Sequence, residues 1–70
     1  MVEKYKKEFE QVFDNVDIRE STFFGEPWLY IKCYHNGKAI IYDISVKTFK
    51  VYGTQLELLK KEWCRLWGDW

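Results

Sequence analysis

The chain predicts a small α+β domain in which two amphipathic helices flank an antiparallel sheet of three strands, or four if the segment ahead of them also pairs. Three observations carry this expectation. Apolar residues recur every three or four positions near both ends, the period changes to two in between, and Asn36-Gly37 punctuates the alternating stretch. Seventy residues suit one domain. A chain of that size buries only about 60% of the surface its unfolded form exposes, so its core must be dense. Five Phe, five Tyr and four Trp supply that density.

Over residues 2–16, Val2, Tyr5, Phe9, Val12, Phe13 and Val16 fall on one stripe of a helix. Residues 18–24 leave two readings open: a short extra strand, or an irregular link closed by Gly25-Glu26-Pro27. Residues 28–35 alternate as a strand. Asn36-Gly37 then supplies the two positive-φ positions of a type I′ turn, and residues 38–46 return antiparallel. A four-residue turn over 45–48 leads to a third strand at 49–52, which Gly53 ends. Thr54-Gln55-Leu56-Glu57 fits a capping box that opens the second helix. Leu56, Leu59, Trp63, Leu66, Trp67 and Trp70 form its apolar stripe, and Gly68 is its expected stop.

The two-residue turn sets the register. Pairing His35 with Lys38 places Cys33 opposite Ile40, Ile31 opposite Tyr42 and Leu29 opposite Ile44, all on one apolar face. If Ile44 next meets Phe49, Tyr42 meets Val51 on that same face. Both helices are expected to pack there, which covers every apolar stripe at once. The other face then carries Trp28, Tyr30, Lys32 and Tyr34 beside Ala39, Ile41 and Asp43, with Lys50 and Tyr52 from the third strand. Asp43 is expected across from Lys50. An uncovered face of this composition marks an interaction site, since Trp and Tyr are common interface anchors. Against this, strands favour aromatic residues for packing alone, and Phe23 and Phe24 could fold over the face and cover it.

Eleven basic and eleven acidic residues cancel, so no net field draws the chain to phosphate backbones or anionic lipid. No apolar run approaches the roughly 20 residues that span a bilayer, and Met1-Val2-Glu3-Lys4 carries no signal-peptide stretch. The expected setting is cytoplasmic, with Cys33 and Cys64 as thiols. Chemistry is sparse. His35 and Cys33 share a strand face without an orienting third group, and Cys33, His35 and Cys64 fall short of a zinc-ligand pattern. There is no paired-carboxylate motif and no glycine-rich phosphate loop. The expectation is therefore a non-enzyme, without metal, cofactor or small-molecule substrate.

The order helix, three strands, helix resembles the double-stranded RNA-binding domain in topology and length. That family contacts RNA through its first helix, a longer loop between its first two strands and a lysine cluster opening its last helix. Here the first turn is only Asn36-Gly37, and the last helix opens with Thr54-Gln55-Leu56-Glu57. Lys60-Lys61 comes too late and is followed by Glu62, so the RNA activity does not carry over. A different nucleic-acid mode would stack single-stranded bases on Trp28, Tyr30 and Tyr34, with Lys32 and Lys50 at the backbone. Neutral charge and Asp43 in mid-sheet weigh against it. The favoured expectation is a stand-alone protein-binding domain acting as an inhibitor, adaptor or regulator, with homodimerisation through the same face a close variant. Small phage or mobile-element proteins that antagonise host defences have this character.

Overall fold

The computed structural model describes residues 2–53 and 55–70. Its elements are α1 (Val2–Glu10), β1 (Asp14–Phe23), β2 (Glu26–His35), β3 (Lys38–Ser45), β4 (Val51–Tyr52) and α2 (Leu56–Trp67). The four strands form one antiparallel sheet in the order β1-β2-β3-β4. The α+β class and the extra strand are thus present.

The first helix is shorter than its apolar spacing predicts. The amides of Val12 and Phe13 donate to the Phe9 carbonyl at 3.1 and 2.8 Å and close the last turn, leaving Val12 64% exposed. Val16 belongs instead to β1, where β-branched Val16, Ile18 and Thr22 suit a strand that pairs along most of β2. Asn15 and Val16 together oppose the single residue Cys33, between the pairs Asp14↔Tyr34 and Asp17↔Lys32. Asn15 makes this bulge with φ 50°, a left-handed value that asparagine tolerates.

Two tight hairpins fix the sheet. Phe24-Gly25, at φ 51° and 77°, joins the pair Phe23↔Glu26, and Asn36-Gly37, at φ 52° and 79°, joins His35↔Lys38. The β2–β3 register is the one the second turn dictates, through Cys33↔Ile40, Ile31↔Tyr42 and Leu29↔Ile44. The next connection is longer than expected. Phe49 N–H donates to the Ser45 carbonyl at 2.7 Å and Thr48 N–H to Ser45 Oγ at 3.3 Å, and Phe49 turns back at φ 60°. Ile44 therefore meets Val51 rather than Phe49, and Asp43 meets Tyr52 rather than Lys50. A slip of two residues keeps each side chain on its expected face.

The placement of α2 corrects the expectation that both helices share one face. α1 covers Leu29, Ile31 and Ile44, with Tyr5 buried and Phe9, Val16, Ile18 and Val46 around it. α2 covers the opposite face, where Leu59 and Trp63 pack on Tyr30 and Ile41, flanked by Leu66, Trp67 and Trp70. The sheet is thus the middle of three layers, since both of its faces carry apolar residues that gain by leaving water. A polar clasp holds the second contact. Gly68, at φ 73°, ends α2 and turns Asp69 back to the sheet. There its carboxylate accepts from Arg19 Nη1 and Nη2 at 2.8 and 2.5 Å and from Trp63 Nε1 at 3.1 Å. The Arg19 guanidinium lies 4.8 Å from the Trp63 ring centroid, and Lys32 Nζ lies 4.9 Å from Trp63 and 5.2 Å from Trp70.

At the start of α2, Gln55 is the N-cap residue and makes no side-chain cap; the Thr54 half of the expected capping box lies outside the described residues. Both cysteines are free. Cys33 is fully buried on the α1 face, where desolvation pushes its thiol up to about 11, and Cys64 is exposed. No helix among the described residues is long and apolar enough to cross a membrane.

Candidate functional site

The eight residues expected to line an open face divide into two groups. Tyr30 and Ile41, at 8% and 3% exposure, lie beneath α2. Lys32 packs on the indoles of Trp63 and Trp70, and Tyr34 is half-buried. Lys50 is exposed and precedes β4, and only its carbonyl is tied to β3, accepting from the Ser45 amide at 3.1 Å. These four and Ile41 therefore do not form a free surface. At the other end of the same face, beyond the reach of α2, Trp28, Asp43 and Tyr52 remain accessible, Tyr52 at 42%.

Phe23 and Phe24 complete this end. They do not cover the face; they extend it. The Phe23 and Phe24 ring centroids are 4.4 Å apart, Phe23 and Trp28 6.4 Å, and Trp28 and Tyr52 5.5 Å, which makes a continuous aromatic surface from the first hairpin tip to β4. Phe23 is 55% exposed, Phe24 91%, and Leu58 from the first turns of α2 59%. Phe24 also sits in the left-handed backbone region, which costs a side chain of its size roughly 1–2 kcal/mol.

Between the hairpin tip and α2 the surface dips into a groove. Two adjoining hollows of about 120 and 270 Å3 share the walls Phe23, Tyr30 and Asp43; Trp28 closes one end, and Leu58, Leu59 and Glu62 line the other. Tyr30, Asp43 and Glu62 are the ionisable groups among its described lining residues, and Glu62 is ion-paired with Arg65. Burial raises the Tyr30 phenol above its ordinary range, and the fields of Glu62 and Asp43 raise it further, with Arg65 opposing them. The hydrogen bonds from Arg65 hold the Glu62 carboxyl below its ordinary range, so it stays ionised at neutral pH. Trp28 Nε1 is buried and has no hydrogen-bond partner among the described residues. Another depression, about 290 Å3, opens beside Thr22, Pro27, Leu29 and Val46, but Glu20 is the one ionisable group among its described lining residues.

The sequence missed Phe23 and Phe24 as part of the site because a Phe-Gly pair is not a usual hairpin signal. It missed Leu58 because that residue lies off the apolar stripe of its helix. Among the described residues, no group of three or more His, Cys, Asp or Glu side chains could hold a metal ion. His35 packs edge-on against Phe13, with ring centroids 6.0 Å apart. Compared with known proteins, the chain matches no family model, no curated protein and no solved structure.

Proposed function

We propose that this chain is a protein-binding domain, not an enzyme, which acts as an inhibitor, adaptor or regulator by docking Phe23, Phe24, Trp28, Tyr52 and Leu58 on a partner protein. The observation that carries the reading is Phe24. A type I′ turn favours asparagine or glycine, yet this one presents a phenylalanine that is 91% exposed, in a strained backbone, with Phe23 as its ring contact. Neither local geometry nor packing accounts for it, whereas an aromatic anchor for a partner does. The neighbouring residues give it a contiguous apolar surround, which is the usual form of a docking site. The two thiols suit a reducing, cytoplasmic setting.

Single-stranded nucleic acid is the second reading, and the placement of Lys32 disfavours it. Lys32, expected to contact the phosphate backbone, is engaged by the indoles of α2 and the Asp69 carbonyl. The test compares partner capture by the wild type, by Phe24→Asp and by Lys38→Asp, whose position lies at the far end of the β2–β3 hairpin. Circular dichroism first establishes that each is folded. A protein retained by the wild type and Lys38→Asp but lost by Phe24→Asp is the expected result. Equal retention by Phe24→Asp would sink the proposal, and tight binding of a labelled single strand at physiological salt would favour the second reading.

A further inference from the structure

The strained aromatic residue at the first hairpin tip has a counterpart. Phe49, in the connection between β3 and β4, also holds a left-handed backbone, at φ 60°, and is 58% exposed. A bulky residue with positive φ is an outlier, since glycine or asparagine fills such a position at lower cost. The turn does not need the ring. Its bonds come from the main chain and two hydroxyls: Phe49 N–H to the Ser45 carbonyl, Thr48 N–H to Ser45 Oγ, and Lys50 N–H to Thr48 Oγ1 at 3.4 Å. Asparagine at position 49 would keep all three.

The strand order brings the two turns to one place. In an antiparallel sheet of order β1-β2-β3-β4, the first and third connections lie at one end and the second at the other. Phe24 and Phe49 therefore project from the same end. The ion pair of Lys47 with Glu26 at 3.3 Å ties the two connections together, as does the bond from Val46 N–H to the Pro27 carbonyl at 3.3 Å. Neighbouring strands lie about 4.8 Å apart and the turns are two strand spacings apart, so the two phenylalanines are rooted about 10 Å from each other.

That separation discriminates between partner elements. On an extended strand, residues of one face recur about every 6.7 Å, so neither the first nor the second repeat matches it. On an α-helix, residues seven apart share a face and lie about 10.5 Å from each other along the axis.

We propose that Phe49 is a second anchor of the docking surface and that the partner lays an amphipathic helix across this end of the sheet. Apolar residues seven positions apart on that helix meet Phe24 and Phe49, an inference that rests on the docking role assigned above to Phe24.

The test is selection, on the intact chain, of a displayed three-helix scaffold with the outward face of one helix randomised. Binding of each enriched scaffold is then measured by calorimetry. Enriched scaffolds are expected to carry apolar residues seven apart, and moving the second of the pair to the fourth position should weaken binding about ten-fold or more. Phe24→Asn and Phe49→Asn should each weaken it to a similar degree, as loss of an interface anchor does. Both variants should melt no lower than wild type, because asparagine accepts positive φ. A selection without that spacing, or scaffolds that bind Phe49→Asn as tightly as wild type, overturns the inference. A Phe49→Asn variant that melts below wild type also overturns it, by assigning the ring to packing. If scaffolds lost with Phe24→Asn still bind Phe49→Asn, the docking role of the tip survives alone. Scaffolds indifferent to both substitutions would remove both.

Discussion

Phe24 occupies a backbone conformation that asparagine adopts at far lower cost, and this separates stability from binding at one position. Phe24→Asn should stabilise the fold by about 0.5–1 kcal/mol and raise the melting temperature by a few degrees, while weakening partner capture. A variant melting below wild type would show that the ring supports the fold. The two thiols give a second test at this scale. Cys64, which is exposed, should react promptly with a thiol reagent at neutral pH. Cys33 should react only after denaturation, because it is fully buried and its thiol is pushed up to about 11. Individual core residues such as Ile31, Cys33 and Leu59 were legible in the sequence, since strand alternation and helical spacing place them inward. The tip was not. Nothing in the dipeptide Phe24-Gly25 announces a type I′ turn, because phenylalanine has no local means of favouring positive φ.

The β2–β3 hairpin was the most legible element, since Asn36-Gly37 admits few alternatives and its register propagates to every face assignment. The end of α1 was less so: the apolar spacing of residues 2–16 also fits the start of a strand, and pairing with β2 decides it. The side on which α2 lands was not legible. Helical periodicity shows which stripe of a helix is apolar, but not which sheet face it meets. The deciding contacts, from Arg19 and Lys32 to the indoles and Asp69, appear only once β1 pairs with β2. The clasp has a pH signature. Chiefly through its hydrogen bonds from Arg19, and also through Trp63 and Lys32, the Asp69 carboxyl is held below its ordinary range. Its contribution is therefore present above about pH 4 and is lost as the pH falls through its lowered native value. Asp69→Asn should melt below wild type at neutral pH, by an amount that added salt reduces, and the gap should close on acidification. An unchanged gap at low pH would assign the effect to packing alone.

At the scale of the whole molecule, two apolar clusters lie back to back across one sheet, one built by α1 and one by α2. A chain of this length has only about 4–10 kcal/mol of net stability, so neither cluster is dispensable. Ile31→Asp on the α1 face and Leu59→Asp on the α2 face should each abolish the cooperative thermal transition, because an unpaired carboxylate is forced out of water. A native-like melt of Leu59→Asp would mean that the sheet and α1 stand without the second layer. The three-layer arrangement also explains where the exposed surface lies. α2 covers the half of its face that carries Tyr30 and Ile41 and leaves the end with Trp28 and Tyr52, so the aromatic site is the part of the face its helix does not reach.

The simple strand order has a consequence in time. Each strand pairs only with its neighbour along the chain, through connections that begin with turns of two residues, so pairing can proceed without first closing a long loop. A nascent chain emerging from the ribosome can zip β1 to β2 and then β3 in the order of their synthesis. Only the far end must wait, because Asp69 reaches back across fifty positions to Arg19. Until that last contact closes, Tyr30 and Ile41 remain in water, and the half-made molecule presents a larger sticky surface than the finished one.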